Sequence, residues 1–344
     1  MKTMLAGAAA LALMAAGSAR AQETERFALR GAATVYNLAG EMRVERGDVR
    51  EVTVEVTRRG DDAGQLRVER SGERVSVVYP GDRVVYPRLG SGSRTSLEVG
   101  RDGSFGGGGR VFGGRRVTVS GSGRGVRAWA DVRVLVPRGG QVAVHQGVGS
   151  VEVRDVNGEL RVKTASAAVR TEDTEGALTV DVGSGGVEVS DADGAVSIDT
   201  GSGGVRLNNV RGPSLMVDTG SGGVRGENIR AERVNVDVGS GGVTLEEVDA
   251  RNVRIDTGSG SVDVEFAGDA ESVVIDTGSG GVTVALPERF GAELDIDTGS
   301  GGISVDVPAA ISRRERSHFT GTVGDGEGRV VIDTGSGGVR VRRS

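Results

Sequence analysis

The chain has 344 residues, with 60 Gly, 6 Pro, no Cys and a formal net charge of −6. Glycine without a Gly-X-Y period or abundant proline excludes collagen, and alternating Val/Ile/Leu runs argue against wholesale disorder. The absence of cysteine excludes disulfides, thiolate metal sites and a Cys nucleophile, and only two histidines, His145 and His318, leave little for a His-based metal site.

Residues 1–21 read as a secretory signal peptide. Lys2 supplies the positive start, Leu5–Ala16 the apolar run, and Ala19-Arg20-Ala21 the small-x-small cleavage pattern before Gln22. The run is shorter than the ~20 residues a membrane span needs. The expected product is exported, to the periplasm or the cell surface, with no transmembrane segment after cleavage. Losing Lys2 and Arg20 moves the charge from −6 to −8.

Residues 22–87 are expected to form an N-terminal β cap, with alternating strands at Val52–Thr57 and Val75–Tyr79. Residues 88–127 read as a Gly/Arg-rich loop or disordered insertion. They hold eight Arg against Glu98 and Asp102, a net +6. Arg110, Arg115, Arg116, Arg124 and Arg127 are the candidate anion-binding residues there, and the alternative is a solvated loop lying along an acidic rod. An envelope polymer or surface protein is the expected partner, and export argues against nucleic acid.

From residue 128 to 344 the sequence repeats. Val180-Asp-Val-Gly-Ser-Gly-Gly-Val187 recurs with its first turn glycine at 183, 201, 220, 239, 258, 278, 299 and 335, after degenerate copies at Gly147 and Ala165. A period near 19 is a solenoid signature. Short period-2 runs such as Leu178/Val180/Val182 and Val187/Val189 flank each Gly-Ser-Gly-Gly, so each unit is strand, tight turn, strand. The fold class is therefore all-β: a β-solenoid of stacked ~19-residue coils with mostly parallel, in-register ladders and an N-terminal β cap. The turn glycines are expected to serve both positive φ and close approach between coils. The 36-residue gap before Gly335 predicts an extra coil plus a loop at Pro308. Arg340, Arg342 and Arg343 are expected to guard the last edge strand.

The chemistry on offer is repetitive. Asp181, Asp199, Asp218, Asp237, Asp256, Asp276, Asp297 and Asp333 fall at one position of the coil and face outward by alternation. They read as caps on their own turns, or as a row of Ca²⁺ sites. The order differs from calcium-binding nonapeptides, whose Asp follows the glycines. The Thr residues after them share a position with Val182 and Val238, so they are expected to point inward. Asp-Thr-Gly-Ser resembles the aspartic-protease strand, but six copies in a row would stack instead of pairing face to face. No Walker loop, His-Glu-x-x-His or Gly-x-Ser-x-Gly is present, so no catalytic residue and no cofactor is assigned beyond the candidate calcium.

Signal peptide, N-terminal strands, the Val134-Leu-Val-Pro137 strand and the Asp-Thr-Gly-Ser-Gly-Gly-Val units together resemble the bacterial adhesin-like family of exported β-strand-repeat proteins, a domain of unknown function. The resemblance covers roughly residues 30–87 and 128–344 and implies a β-solenoid of the cell envelope, with no catalytic residues to carry over. The functional expectation is a non-enzymatic envelope solenoid with an adhesin-like binding or structural role. The alternatives are a calcium-stabilised surface rod and a polysaccharide-acting β-helix enzyme.

Overall fold

A computed structural model describes residues 24–106 and 113–344. The expected signal peptide and Arg110 lie outside the described residues. The alternation read in the sequence produces the strands. In Leu178–Val182 and Val187–Asp193 every second side chain is buried, and the same pattern recurs in Val205–Thr219, Val224–Val238 and Val243–Thr257. These strands stack parallel and in register: Val180 on Ile198, Ile198 on Val217, Val217 on Val236, Val236 on Ile255. No coil could bury its aliphatic face alone. Stacked, they share one core that runs from Leu29 to Val341.

Each coil turns at three places. One is the Gly-Ser-Gly-Gly turn. A Cβ on its second glycine would lie 1.8 Å from the Gly185 carbonyl oxygen at Gly203, and 1.9 Å from the Gly203 oxygen at Gly222. Close approach alone therefore demands glycine there, because these turn glycines do not adopt positive φ. Positive φ belongs to the other two bends; at the second, Asp155, Asp173, Asp191, Asn209, Asn228 and Glu247 lie at φ 52–58°. Asp and Asn tolerate the left-handed region better than other side chains, so this column is a second repeat signal inside the first. The third bend is a glycine column, Gly158, Gly176, Gly194 and Gly212. Beyond Glu247 the left-handed column stops. Loops at residues 267–271 and 287–291 replace it, and Phe266 and Phe290 fill the wider section with centroids 5.6 Å apart.

The rod starts earlier than residue 128. Ala33–Arg46 is itself a coil, pairing parallel with the first turn of Gly140–Glu175 over Val142↔Ala33 to Arg154↔Glu45. Outside it lie Arg74–Val78 and Trp129–Val136, also parallel to it. Antiparallel strands then close the end: Val52–Arg59 on Trp129–Val136, Thr24–Leu29 on Val52–Arg59, and Arg67–Ser71 on Arg74–Val78. The cap is therefore built from pieces of residues 22–87 together with Trp129–Val136. Residues 88–127 are not a loop throughout. Arg115–Ser120 lies between Arg83–Val85 and Arg94–Val99 in a separate three-stranded sheet, with Val99, Val117 and Val119 buried. Period-2 runs of Leu97/Val99 and Val117/Val119 carried this signal within the glycine-rich composition.

The far end is interleaved. Gly328–Thr334 lies between Ser272–Thr277 and Ala292–Thr298, parallel to both. Val339–Arg343 likewise lies between Val282–Leu286 and Ile303–Val305. The last coil in sequence is thus the penultimate coil in space. The residues between hold no extra coil: they form an antiparallel hairpin, Ala310–Arg314 with His318–Val323, whose second strand covers Ala292–Thr298. Arg340, Arg342 and Arg343 therefore guard no edge. Ala310–Arg314 and Ile303–Val305 are edge strands on this side, and Arg313 and Arg314 put charge on the first.

Candidate functional site

The Gly-Ser-Gly-Gly turn separates two outward-facing surfaces. On one side runs the aspartate column, in register through Asp181, Asp199, Asp218, Asp237, Asp256 and Asp276, then Asp333 and Asp297. Neighbours are about 4.8 Å apart along the stack. Burial and the neighbouring carboxylates Asp237 and Asp199 push the Asp218 carboxyl above its ordinary value, and burial with Asp256 and Asp333 does the same at Asp276.

These aspartates are not turn caps. Among the described residues the turn N–H groups are held by threonine: Gly203 N–H donates to Thr200 Oγ1 at 3.1 Å, Gly222 to Thr219 at 3.0 Å and Gly280 to Thr277 at 2.9 Å. The threonine hydroxyl in turn donates to the coil beneath, as from Thr277 to the Gly260 carbonyl at 3.2 Å and from Thr334 to Gly280 at 3.0 Å. Thr200, Thr219, Thr257, Thr277, Thr298 and Thr334 are buried, as expected. Asn37 and Gln146 occupy the same column at the first coils. There they form a buried amide network, with Asn37 donating to the Ala130 carbonyl, Gln146 to those of Gly40 and Val148, and the Tyr79 hydroxyl to Ala39.

The column is flanked by Lys163 at one end and His318 at the other. Lys163 precedes Asp181 and pairs with it at 2.5 Å. His318 reaches Asp297 from the antiparallel hairpin, with Nδ1 2.7 Å from Oδ1. His145 lies in the same column beyond Lys163, stacked on Tyr36 at 4.2 Å. Burial and the Lys163 charge lower its pKa to about 4, so it is neutral at physiological pH. Both histidines therefore belong to one surface, at opposite ends, which linear spacing did not reveal.

On the other side of the turn lies a groove of about 900 Å³. Its floor is the last glycine of each turn, Gly186, Gly204, Gly223 and Gly242, and its rim is the next outward position, Glu152, Arg170, Glu188, Arg206 and Arg225. Unlike Gly203 and Gly222, the last glycine of the turn is not forced by stacking at Gly186 and Gly204, though it is tighter at Gly223, where a Cβ would lie 3.2 Å from the Gly242 oxygen. A Cβ would meet its nearest atom at 3.7 Å at Gly186 and 3.6 Å at Gly204, and Ser261 takes the position in another coil. Along the rim Arg43 pairs with Glu41 and Glu152, and Arg170 with Glu188 at 2.7 Å. Arg206 and Arg225 face the same way on adjacent strands, and among the described residues neither has an ion-pair partner. A smaller cleft of about 370 Å³ follows the left-handed column and includes Asp155, Asp173 and Asp191.

The arginines expected to bind anions are scattered. Arg115 donates to the Tyr79 carbonyl, and Arg127 lies 3.7 Å from Asp61. Arg116 stands opposite Glu98 across the small sheet, and Arg124 lies in an exposed turn. The groove instead presents Arg206 and Arg225, in register on adjacent strands, which charge density along the sequence did not single out. The signal lay in the repeat: aligned coils place Arg206 and Arg225 in one column.

The family described as Toastrack DUF4097 matches residues 171–342. No curated protein matches the chain. A solved "putative lipid binding protein" from Parabacteroides distasonis is 12% identical, with 93% of this chain and 96% of that chain covered at a TM-score of 0.42. A "putative adhesin" from Parabacteroides merdae is 11% identical, with 93% and 95% covered at 0.36. A "putative cell adhesion protein" from Clostridium sporogenes is 10% identical, with 94% and 99% covered at 0.19.

Proposed function

The chain belongs to the Toastrack DUF4097 family, and from that premise we propose that it is a non-enzymatic envelope protein that binds an extended anionic polymer along the glycine-floored groove. The observation that carries this reading is the last glycine of the turn. Packing leaves room for a side chain at Gly186 and Gly204, yet the floor is bare through Gly186, Gly204, Gly223 and Gly242. A bare floor exposes backbone along several coils and admits a chain lying parallel to the rod. Arg206 and Arg225 supply two unneutralised guanidinium groups side by side, suited to carboxylate or phosphate. The groove carboxylates Glu41, Glu152 and Glu188 are ion-paired with arginines, which favours binding over acid–base chemistry. The signal-like residues 1–21 support export, and no helix among the described residues is long and apolar enough to cross a membrane.

The test is binding of purified envelope polysaccharide by the native chain, by Arg206→Glu/Arg225→Glu and by Gly186→Leu/Gly204→Leu. Both glycine positions have space for a Cβ, so the second variant fills the groove without unstacking the rod. The reading requires both variants to lose binding while circular dichroism stays native. Binding unchanged in both would refute it.

A further inference from the structure

We infer that the end of the rod carries a single divalent transition-metal site formed by Asp295, Asp297 and His318. One ligand atom from each of the three lies within 4.8 Å of the other two. The geometry comes from the fold. Asp295 and Asp297 are two apart on Ala292–Thr298, so they project from the same face. The hairpin returns His318–Val323 antiparallel beside that strand, and register places His318 directly opposite Asp297. Nδ1 of His318 already stands 2.7 Å from Oδ1 of Asp297. A small side-chain rotation would bring the three donors to the spacing around a metal with bonds of about 2.0–2.2 Å.

The donor set selects the metal. Imidazole nitrogen with two carboxylates suits Zn²⁺ and its first-row neighbours, whereas Ca²⁺ takes oxygen ligands and more of them. The site is therefore distinct in chemistry from a calcium row on the aspartate column. His318 is mostly covered, while Asp297 and Asp295 remain half open, so water can complete the coordination sphere. The competing cation is Arg329, whose Nη2 lies 3.8 Å from Asp295, a loose contact that a bound metal would displace. The position has structural meaning: the metal would tie the closing hairpin to the last parallel coil. His318 and Asp297 are 21 residues apart and meet only because the chain reverses at residues 315–317.

The test uses the full chain stripped with a chelator, titrated with Zn²⁺ by calorimetry and with Co²⁺ by visible absorption. The expected result is one ion per chain and a Co²⁺ spectrum of a low-coordinate nitrogen/oxygen site. His318→Ala and Asp295→Asn should each weaken Zn²⁺ by roughly 10–100-fold or more. Asp199→Asn/Asp218→Asn should leave it unchanged. Circular dichroism of each apo variant separates lost binding from lost fold, and His318→Cys, which restores a soft donor, should recover Co²⁺ binding with a new charge-transfer band. No binding by the native chain, or binding of several ions that survives His318→Ala, overturns the assignment.

Discussion

Thr277 and its equivalents show how one buried hydroxyl can serve two coils. Thr219, Thr257, Thr277 and Thr334 each accept from their own turn and donate to a glycine carbonyl of the neighbouring coil, whereas Thr298 donates to Gly301 of its own turn. Val182 and Val238 break this column. Val238→Thr should give the Gly241 N–H an acceptor and the Gly222 carbonyl a donor. A typical net hydrogen bond contributes ~1 kcal/mol, so urea unfolding should show a gain of about that size. The aspartate column works against stability. The raised carboxyls of Asp218 and Asp276 hold protons more readily in the folded chain than in the unfolded one. Stability from relieved desolvation and repulsion is therefore present at low pH and lost as pH rises through the folded pKa, in a window opening above the ordinary value of 3.8. Asp218→Asn should raise the melting midpoint at pH 7, and the advantage over the native chain should shrink as the pH approaches that window. A pH-independent difference would mean that neighbouring carboxylates are not its cause. The inward threonines and the outward aspartates were both legible from alternation. Which of the two capped the turn was not, because Asp and Thr are adjacent and both favour caps.

At the scale of elements, the strand–turn–strand unit was legible because every coil repeats it in register. Neighbour order was not. Sequence spacing says how long a connection is, and 36 residues suffice for either a coil or a reversal. The chain uses a hairpin, and the last coil fills the gap left between Ser272–Thr277 and Ala292–Thr298. Asp333 consequently neighbours Asp276, and Asp297 does not. Paired residues in adjacent strands lie within the 4.4–6.8 Å Cα range of a disulfide. In this cysteine-free chain, Asp276→Cys/Asp333→Cys should oxidise readily to an intramolecular bridge, and Asp276→Cys/Asp297→Cys should not. The reverse result would restore simple sequential stacking. The small sheet holding Arg94–Val99 and Arg115–Ser120 was hidden for another reason: glycine composition outweighed two short alternating runs.

The whole molecule is a rod whose two ends are closed by antiparallel strands and whose flanks present side chains in register from coil to coil, all aspartate on one flank from Asp181 onward and mixed in charge on the other. Such a shape multiplies a weak contact along its length, which suits polymers more than small ligands. The architecture follows from pattern alone, since any aliphatic alternation with glycine turns would stack this way. The groove follows from what the pattern leaves out, at the one glycine that stacking does not demand. The most direct measurement is hydrogen exchange of the native chain with and without saturating envelope polysaccharide. The groove account predicts slowed exchange at residues 186–188, 204–206 and 223–225, with the aspartate column and residues 113–127 unchanged. Protection confined to residues 113–127 or to the aspartate column would contradict it.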